Sequence, residues 1–247
     1  MQAESSCLFN WIKRPTCSDE NPIVIFLSGS FNPPTNMHFR ILEIAKRTLE
    51  IKGNYTVLGG IISPIAVTYG KPGLLDGPTR VEMCKLGCLH SSWIGVDDWE
   101  SVQPAWVRTA VTLEILHERL SKVLLTNDFS IAFVMSMDNL EAMTNPKIWD
   151  PAFFPRLFKF KLVCCGREGK KFEEVVEHES LRPYKAQIYK AFEEPRNDIS
   201  STFVRELLAH SESVRYLIPD EVASFIEEKQ LYKAVEDEKK DETSTQK

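Results

Sequence analysis

The chain has 247 residues, 43% of them hydrophobic and 26% charged, with 14 Pro, 11 Gly and a formal net charge of −5. The apolar share is too large for a disordered chain, the Pro and Gly content too small for a fibrous one, and the length supports a core that needs no disulfide or metal. An acidic balance argues against a protein that coats nucleic acid and leaves room for a local basic pocket. The longest apolar runs, Ile23 to Leu27 and Leu162 to Cys165, fall far short of the ~20 residues of a membrane-spanning helix. Glu4, Asp19 and Glu20 near the start give no signal or transit pattern, so the expected compartment is the cytoplasm, with the nucleus left open. The six cysteines read as reduced thiols, Cys84 and Cys88 lying one helical turn apart on a core face.

In chain order, residues 1–21 show no periodicity and are expected to form a loose extension; 22–233 form the body, and the charge-rich 234–247 a disordered tail. The body opens on Ile23–Leu27, a run without polar alternation that predicts a strand covered on both faces. Turn residues Gly29 to Pro34 come after it, then a helix with Met37, Ile41, Ile44, Ala45 and Leu49 at helical spacing. A strand from Tyr55 to Ile62, a helix from about Pro78 to Leu89 and a strand from Trp93 to Val96 come next. A helix from Trp106 to Lys122, with Val107, Val111, Ile115 and Leu116 inward, precedes strands at Ile131–Met135, Phe160–Cys165 and near Gln187–Phe192. This alternation predicts right-handed crossovers and a doubly wound parallel α/β sheet in a single domain with C-terminal helices. In such sheets ligands sit beyond the carboxyl ends of the strands, so the turn after each strand matters most.

After the first strand comes Ser28-Gly-Ser-Phe-Asn-Pro-Pro-Thr-Asn-Met-His38, which is neither a Walker loop nor a three-glycine dinucleotide fingerprint. Gly29 lets backbone approach a ligand, Pro33 and Pro34 stiffen the turn, and Thr35 or Asn36 can cap the next helix. His38 then stands in the first helical turn, beside unpaired N–H groups and the positive end of the dipole, where an anion belongs. A structural histidine at a strand–turn–helix junction fits the pattern equally well. Near the other end, Asn197-Asp-Ile-Ser-Ser-Thr-Phe-Val-Arg205 carries an apolar stripe of Ile199, Phe203, Leu207 and Leu208, which starts a helix around Ser201. Thr202 and Arg205, three apart, share the opposite face and make a second anion site, or simply a cap and a surface arginine.

Gly29–His38, with Thr35-Asn-Met-His38 as its core, and Ile199-Ser-Ser-Thr-x-x-Arg205 together resemble the two signatures of the nucleotidylyltransferase superfamily, in its nicotinamide mononucleotide adenylyltransferase branch. Met37 stands where many superfamily members have Gly, as it tends to in eukaryotic-type enzymes of this branch. The likeness runs from about Ile23 to Tyr232 through Gly60–Ile65, Tyr69–Lys71, Arg80-Val81, Trp93–Glu100 and Arg215–Asp220. It implies the Rossmann-like nucleotidylyltransferase fold. It implies a reaction in which the 5′-phosphate of nicotinamide or nicotinate mononucleotide attacks the α-phosphorus of ATP in line, giving NAD or deamido-NAD and pyrophosphate.

By the same resemblance, Gly29, Ser30, Phe31, Thr35, His38, Asn197, Ser201, Thr202 and Arg205 would bind ATP, with His38 and Arg205 catalytic. Tyr69, Lys71, Trp93, Asp138 and Trp149 would bind the mononucleotide, the two tryptophans flanking the pyridine ring, and Glu193 would lie near the adenosine. Mg2+ would be held mainly by substrate phosphates and water rather than by a carboxylate cage. The implied partners are small molecules, with no nucleic acid and no membrane, and self-association as a homo-oligomer is left open. One segment departs: Met135-Ser-Met-Asp138 stands where relatives carry Cys-Gly-x-Asp, which adds a side chain at Ser136. Two alternatives remain at this point, a nucleotidylyltransferase with another phosphorylated acceptor and a catalytically weak relative acting as a binding or chaperone-like protein.

Overall fold

The computed structural model describes residues 9–70, 72–165, 172–191 and 199–233, with Tyr69 described by its backbone alone. Six strands form one parallel sheet: β1 (Pro22–Gly29), β2 (Thr56–Pro64), β3 (Ile94–Val96), β4 (Ser130–Ser136), β5 (Lys161–Cys165) and β6 (Ile188–Ala191). Among the described residues eight α-helices accompany them: α1 (Asn36–Lys52), α2 (Gly77–Gly87), α3 (Thr109–Leu124), α4 (Met137–Ala142), α5 (Phe154–Leu157), α6 (Phe172–Val176), α7 (Ser201–Ala209) and α8 (Asp220–Glu228). The spatial order is β3-β2-β1-β4-β5-β6, every neighbouring pair parallel. The chain winds outward from β1 to β3 and then returns to lay β4 against β1. The carboxyl ends of β1 and β4, at Gly29 and Ser136, therefore border the switch point where such sheets place their ligands.

β1 is covered on both faces because its alternate residues belong to different cores. Val24 and Phe26 join Leu113, Leu116, Leu120 and Leu124 of α3 on one side, whereas Ile23, Ile25 and Leu27 join Leu42, Ile44, Ala45 and Leu49 of α1 on the other. Ile23, Val24, Ile25 and Phe26 are each 0% exposed, so truncating any of them to Ala would cost about 2–5 kcal/mol. A third apolar cluster, of Met83, Val204, Val214, Ile218, Val222 and Ile226, packs α2, α7 and α8 together and brings α7 back toward the carboxyl edge of the sheet.

Three expectations change. The helix expected from Trp106 begins at Thr109, with Arg108 at the N-cap position, which leaves Trp106 in the preceding loop. Of its expected inward stripe only Leu116 is buried; Ala110, Leu113, Leu120 and Leu124 complete the face, because a leucine stripe at helical spacing outweighs the shorter side chains of Val107 and Val111. Part of the expected loose extension is also docked: Phe9 and Ile12 are buried, Trp11 Nε1 donates to the Gly60 carbonyl at 2.9 Å, and Lys13 N–H donates to that of Leu58 at 2.9 Å. The bare backbones of Gly59 and Gly95 leave room for Ile12 and the Trp11 ring. Residues 234–247 lie outside the described residues, and no helix among the described residues is long and apolar enough to cross a membrane.

Candidate active site

The turn after β1 is the centre of the arrangement. Thr35 caps α1 and is fully buried. Its backbone N–H donates to His38 Nδ1 at 2.9 Å, and its hydroxyl lies 2.9 Å from the same nitrogen. With Nδ1 accepting, the proton of the neutral ring sits on Nε2, which is thereby a donor. The Phe31 ring packs edge-on against the imidazole, centroids 5.1 Å apart, and burial lowers the His38 pKa from 6.5 to about 4. Phe31 and Thr35 themselves turn their side chains inward: the threonine, expected at ATP, supports His38, and the phenylalanine leaves its backbone to face a ligand, which is the part of it the resemblance implies. Gly29 serves this packing too, since a Cβ there would lie 3.2 Å from the Phe31 ring.

The second motif folds onto the first. Ser200 caps α7, accepting from Phe203 N–H at 3.2 Å, so the helix starts at Ser201 as the sequence predicts. Ser201 Oγ donates to the Pro33 carbonyl at 2.8 Å, and an Arg205 Nη donates to the Asn32 carbonyl at 2.8 Å. The other Nη lies 3.4 Å from Thr202 Oγ1, so Arg205 commits two of its five donors and keeps the rest. Two junctions about 170 residues apart in sequence thus meet at one turn. His38 and Arg205 bracket it.

Residues 26–207 match the model of a family described as Cytidylyltransferase-like. Among curated proteins, the chain is 39% identical over 214 residues to the nicotinamide/nicotinic acid mononucleotide adenylyltransferase of Oryza sativa subsp. japonica, covering 85% of this chain and 86% of the relative. It is 34% identical to the Arabidopsis thaliana protein of the same name, covering 87% and 91%, and 31% identical to nicotinamide/nicotinic acid mononucleotide adenylyltransferase 1 of Bos taurus, covering 90% and 92%. The chain belongs to this adenylyltransferase family.

The site residue that departs most from expectation is Trp93. Trp93 is not at the carboxyl edge of this adenylyltransferase. It precedes β3, its carbonyl accepting from Gly60 N–H, and Gly60 pairs with Ile25 on β1. That is four residues short of Gly29, roughly 13 Å along the strand. Its indole N–H donates to Glu43 at 2.9 Å and the Lys46 ammonium lies 4.7 Å from the ring centroid, so Trp93 is packed against α1. Two tryptophans stand beyond β3: Trp99 is half-buried at the start of the 3-10 turn Glu100–Val102, and Trp106 is 47% exposed in the loop before α3. Arg108 lies 5.8 Å from its ring and 4.3 Å from that of Phe153, which joins this loop to the segment carrying Trp149. The signal that separates Trp93 from these two is position relative to the strand: it precedes β3 and they come after it.

Asp138 is exposed in the first turn of α4, directly after β4. Ser136 is the N-cap of that helix, its Oγ accepting from Asn139 N–H at 3.2 Å, which gives the side chain that departs from the family pattern a local role. Lys71, Asn197 and Glu193 and the side chain of Tyr69 lie outside the described residues.

Two buried residues, Arg80 and Glu100, fall in segments that carry the likeness, although neither takes a role from the sequence. Arg80, 0% exposed, donates to three carbonyls: Leu75 at 2.8 Å, Ser30 at 3.0 Å and Ile65 at 2.7 Å. It ties the turns after β1 and β2 to the start of α2. Glu100, 4% exposed, accepts from Ser28 Oγ at 2.9 Å at the end of β1. Burial, assisted by the nearby Asp97 charge, raises its pKa from 4.5 to about 7, opposed by the Ser28 hydrogen bond and the Arg80 charge. The buried Ser63 hydroxyl makes no well-formed hydrogen bond yet lies close enough to Glu100 to oppose that rise slightly. Asp97 is itself held by a two-pronged pair with Arg119, at 2.7 and 2.8 Å. The remaining histidines serve locally: His90 pairs with Glu221 at 2.7 Å, and His117 stacks on Phe129, centroids 4.5 Å apart. Cys84 and Cys88 are buried core residues of α2 and the turn that ends it.

Proposed function

We infer that this protein joins ATP to nicotinamide mononucleotide or nicotinic acid mononucleotide, forming the dinucleotide and releasing pyrophosphate. The observation that carries the reading is the docking of α7 on the β1–α1 turn through Ser201 and Arg205, which opens the N-termini of α1 and α7 on one place. A mononucleotide phosphate is largely ionised at neutral pH, its second pKa being about 6, and needs no strong base. The obstacle is bringing one polyanion against another, so the protein's work is positioning and positive charge.

His38, donating from Nε2, and the backbone amides of Gly29, Ser30 and Phe31 would face the ATP phosphates and the charge that develops on the α-phosphoryl group. Thr202, the Ser201 backbone N–H and the uncommitted donors of Arg205 would hold the outer phosphates, with Asn197 toward the adenosine. The donors around the turn are hydroxyl, imidazole and guanidinium groups, the chemistry of a phosphate site. Mg2+ would therefore arrive with the phosphates and water, neutralising charge between them. Asp138, Trp149, Tyr69 and Lys71 are proposed for the mononucleotide, with Trp106 in the stacking position expected of Trp93.

The test is turnover. Purified protein with ATP, Mg2+ and each mononucleotide in turn should yield the matching dinucleotide by chromatography, and the ratio of rates gives the preference between amide and acid. His38→Ala should lower kcat roughly 10²- to 10³-fold. Absence of dinucleotide with wild type, or an undiminished rate in the variant, would refute the reading.

A further inference from the structure

We propose that Tyr232 is a positioning residue for adenylyl transfer, its hydroxyl latching the end of the fold onto Asn32 and fixing the two halves of the site against each other. The proposal rests on the function inferred above. After α8 the chain reverses, with Gln230 and Tyr232 at φ of 54° and 62°, and Leu231 and Tyr232 pack onto the cluster of Met83, Val204 and Ile218. This turns the phenol inward, where its hydroxyl meets Asn32 Oδ1 at 2.8 Å, 200 residues away in sequence.

Asn32 is 4% exposed and fully engaged. Its Nδ2 donates to the Gly73 carbonyl at 2.8 Å, its Oδ1 also accepts from Leu75 N–H at 3.3 Å, and its main-chain carbonyl accepts from Arg205 at 2.8 Å. Those partners fix which end of the amide is oxygen, so Tyr232 must be the donor. Burial pushes the phenol up, against the pull of the Arg205 and Arg80 charges, and keeps it protonated. One residue of the phosphate turn thus joins Arg205 of α7 through its main-chain carbonyl and the segment of Gly73 and Leu75 through its side chain. Tyr232 holds that side chain in place. Losing the hydroxyl leaves Oδ1 with only the longer Leu75 bond, and a small displacement of both half-sites weighs heavily where two anions must meet in line.

Tyr232→Phe removes the hydroxyl and keeps the ring. It should lower kcat/KM roughly five- to twentyfold, mostly through kcat, while the thermal midpoint moves by only a few degrees. Amide exchange over residues 73–75 should quicken, a readout independent of turnover. On an Asn32→Ala background the same change should have no further effect on either. Wild-type rate and exchange in Tyr232→Phe would overturn the latch, and so would an undiminished effect on the Asn32→Ala background, which would assign it to ring packing. If wild type forms no dinucleotide the inferred function fails, and exchange in Tyr232→Phe still decides whether the hydroxyl holds Asn32.

Discussion

Glu100 offers the sharpest quantitative test of the site's electrostatics. Its carboxyl is 4% exposed with a pKa near 7 against 4.5 when unfolded, so between those values the folded protein keeps a proton that the unfolded chain has released. Stability therefore falls as pH rises through this window. The full difference corresponds to about 3 kcal/mol at 1.36 kcal/mol per pKa unit. His38 works in the opposite direction, its pKa of about 4 against 6.5 costing stability as pH falls, so the two slopes offset each other in the wild-type curve between about 4.5 and 6.5. Glu100→Gln isolates one of them. The amide mimics the protonated acid and still accepts from Ser28, while His38 is unchanged and drops out of the difference. Urea unfolding of both proteins at pH 5, 6, 7 and 8 should show the variant gaining on wild type by about 2.5 kcal/mol from pH 5 to pH 8. A difference that stays constant with pH would refute the assignment, because it would show that Glu100 ionises alike in both states.

Four further substitutions probe the site and its surroundings. Thr35→Val keeps shape and removes the hydroxyl beside His38 Nδ1, and should lower kcat roughly fivefold with little change in KM; a wild-type kcat would mean that the backbone N–H alone orients the ring. Trp106→Ala should raise KM for the mononucleotide by about tenfold or more, whereas Trp93→Ala should leave it within about twofold and lower the thermal midpoint instead, and steady-state kinetics on the pair would expose the reverse pattern at once. Arg80→Lys cannot serve three carbonyls from a single ammonium; the loss of two charge-assisted hydrogen bonds should lower the thermal midpoint by roughly 10 °C, and a midpoint unchanged by calorimetry would contradict the clamp.

What the sequence disclosed and what it hid divide along a physical line. β1 was legible because Ile23–Leu27 is buried on both faces, and a strand so placed has no polar position to break the run. The two phosphate motifs were legible because each is one continuous stretch with its cap and its helix. Trp93 opens the strand expected at Trp93–Val96 and directly precedes β3, so its place at the start of that strand was legible; its packing against Glu43 and Lys46 of α1 was not, because those partners lie about 50 residues away. The docked arm at Phe9–Ile12 touches the sheet at a few points and therefore leaves no period to read. Arg80 and Asn32 act through partners 5 to 200 residues away, and nothing local marks an arginine or asparagine as buried.

The hydrogen bonds of the β1–α1 turn explain why those hidden residues matter. A turn that receives phosphate must direct amide N–H groups toward the ligand, which sends its carbonyls into the protein, where each needs a donor. Two of its residues are prolines and contribute no N–H, and Phe31 sits at φ 45°, a conformation that is unfavourable for a bulky side chain and persists only when its surroundings hold it. The donors come from far away: Arg80 of α2 for the Ser30 carbonyl, Arg205 of α7 for Asn32 and Ser201 of α7 for Pro33. The carbonyls of one turn are thus satisfied by side chains of two other helices, while Asn32's own amide is held by Tyr232 beyond α8. The proposed anion site is in this sense an inside-out turn, and its polarity is set by the elements that grip its back. That is why the cationic residues of α2 and α7 cannot be exchanged for other bases without loosening the backbone they hold, even where none of their atoms would touch a substrate.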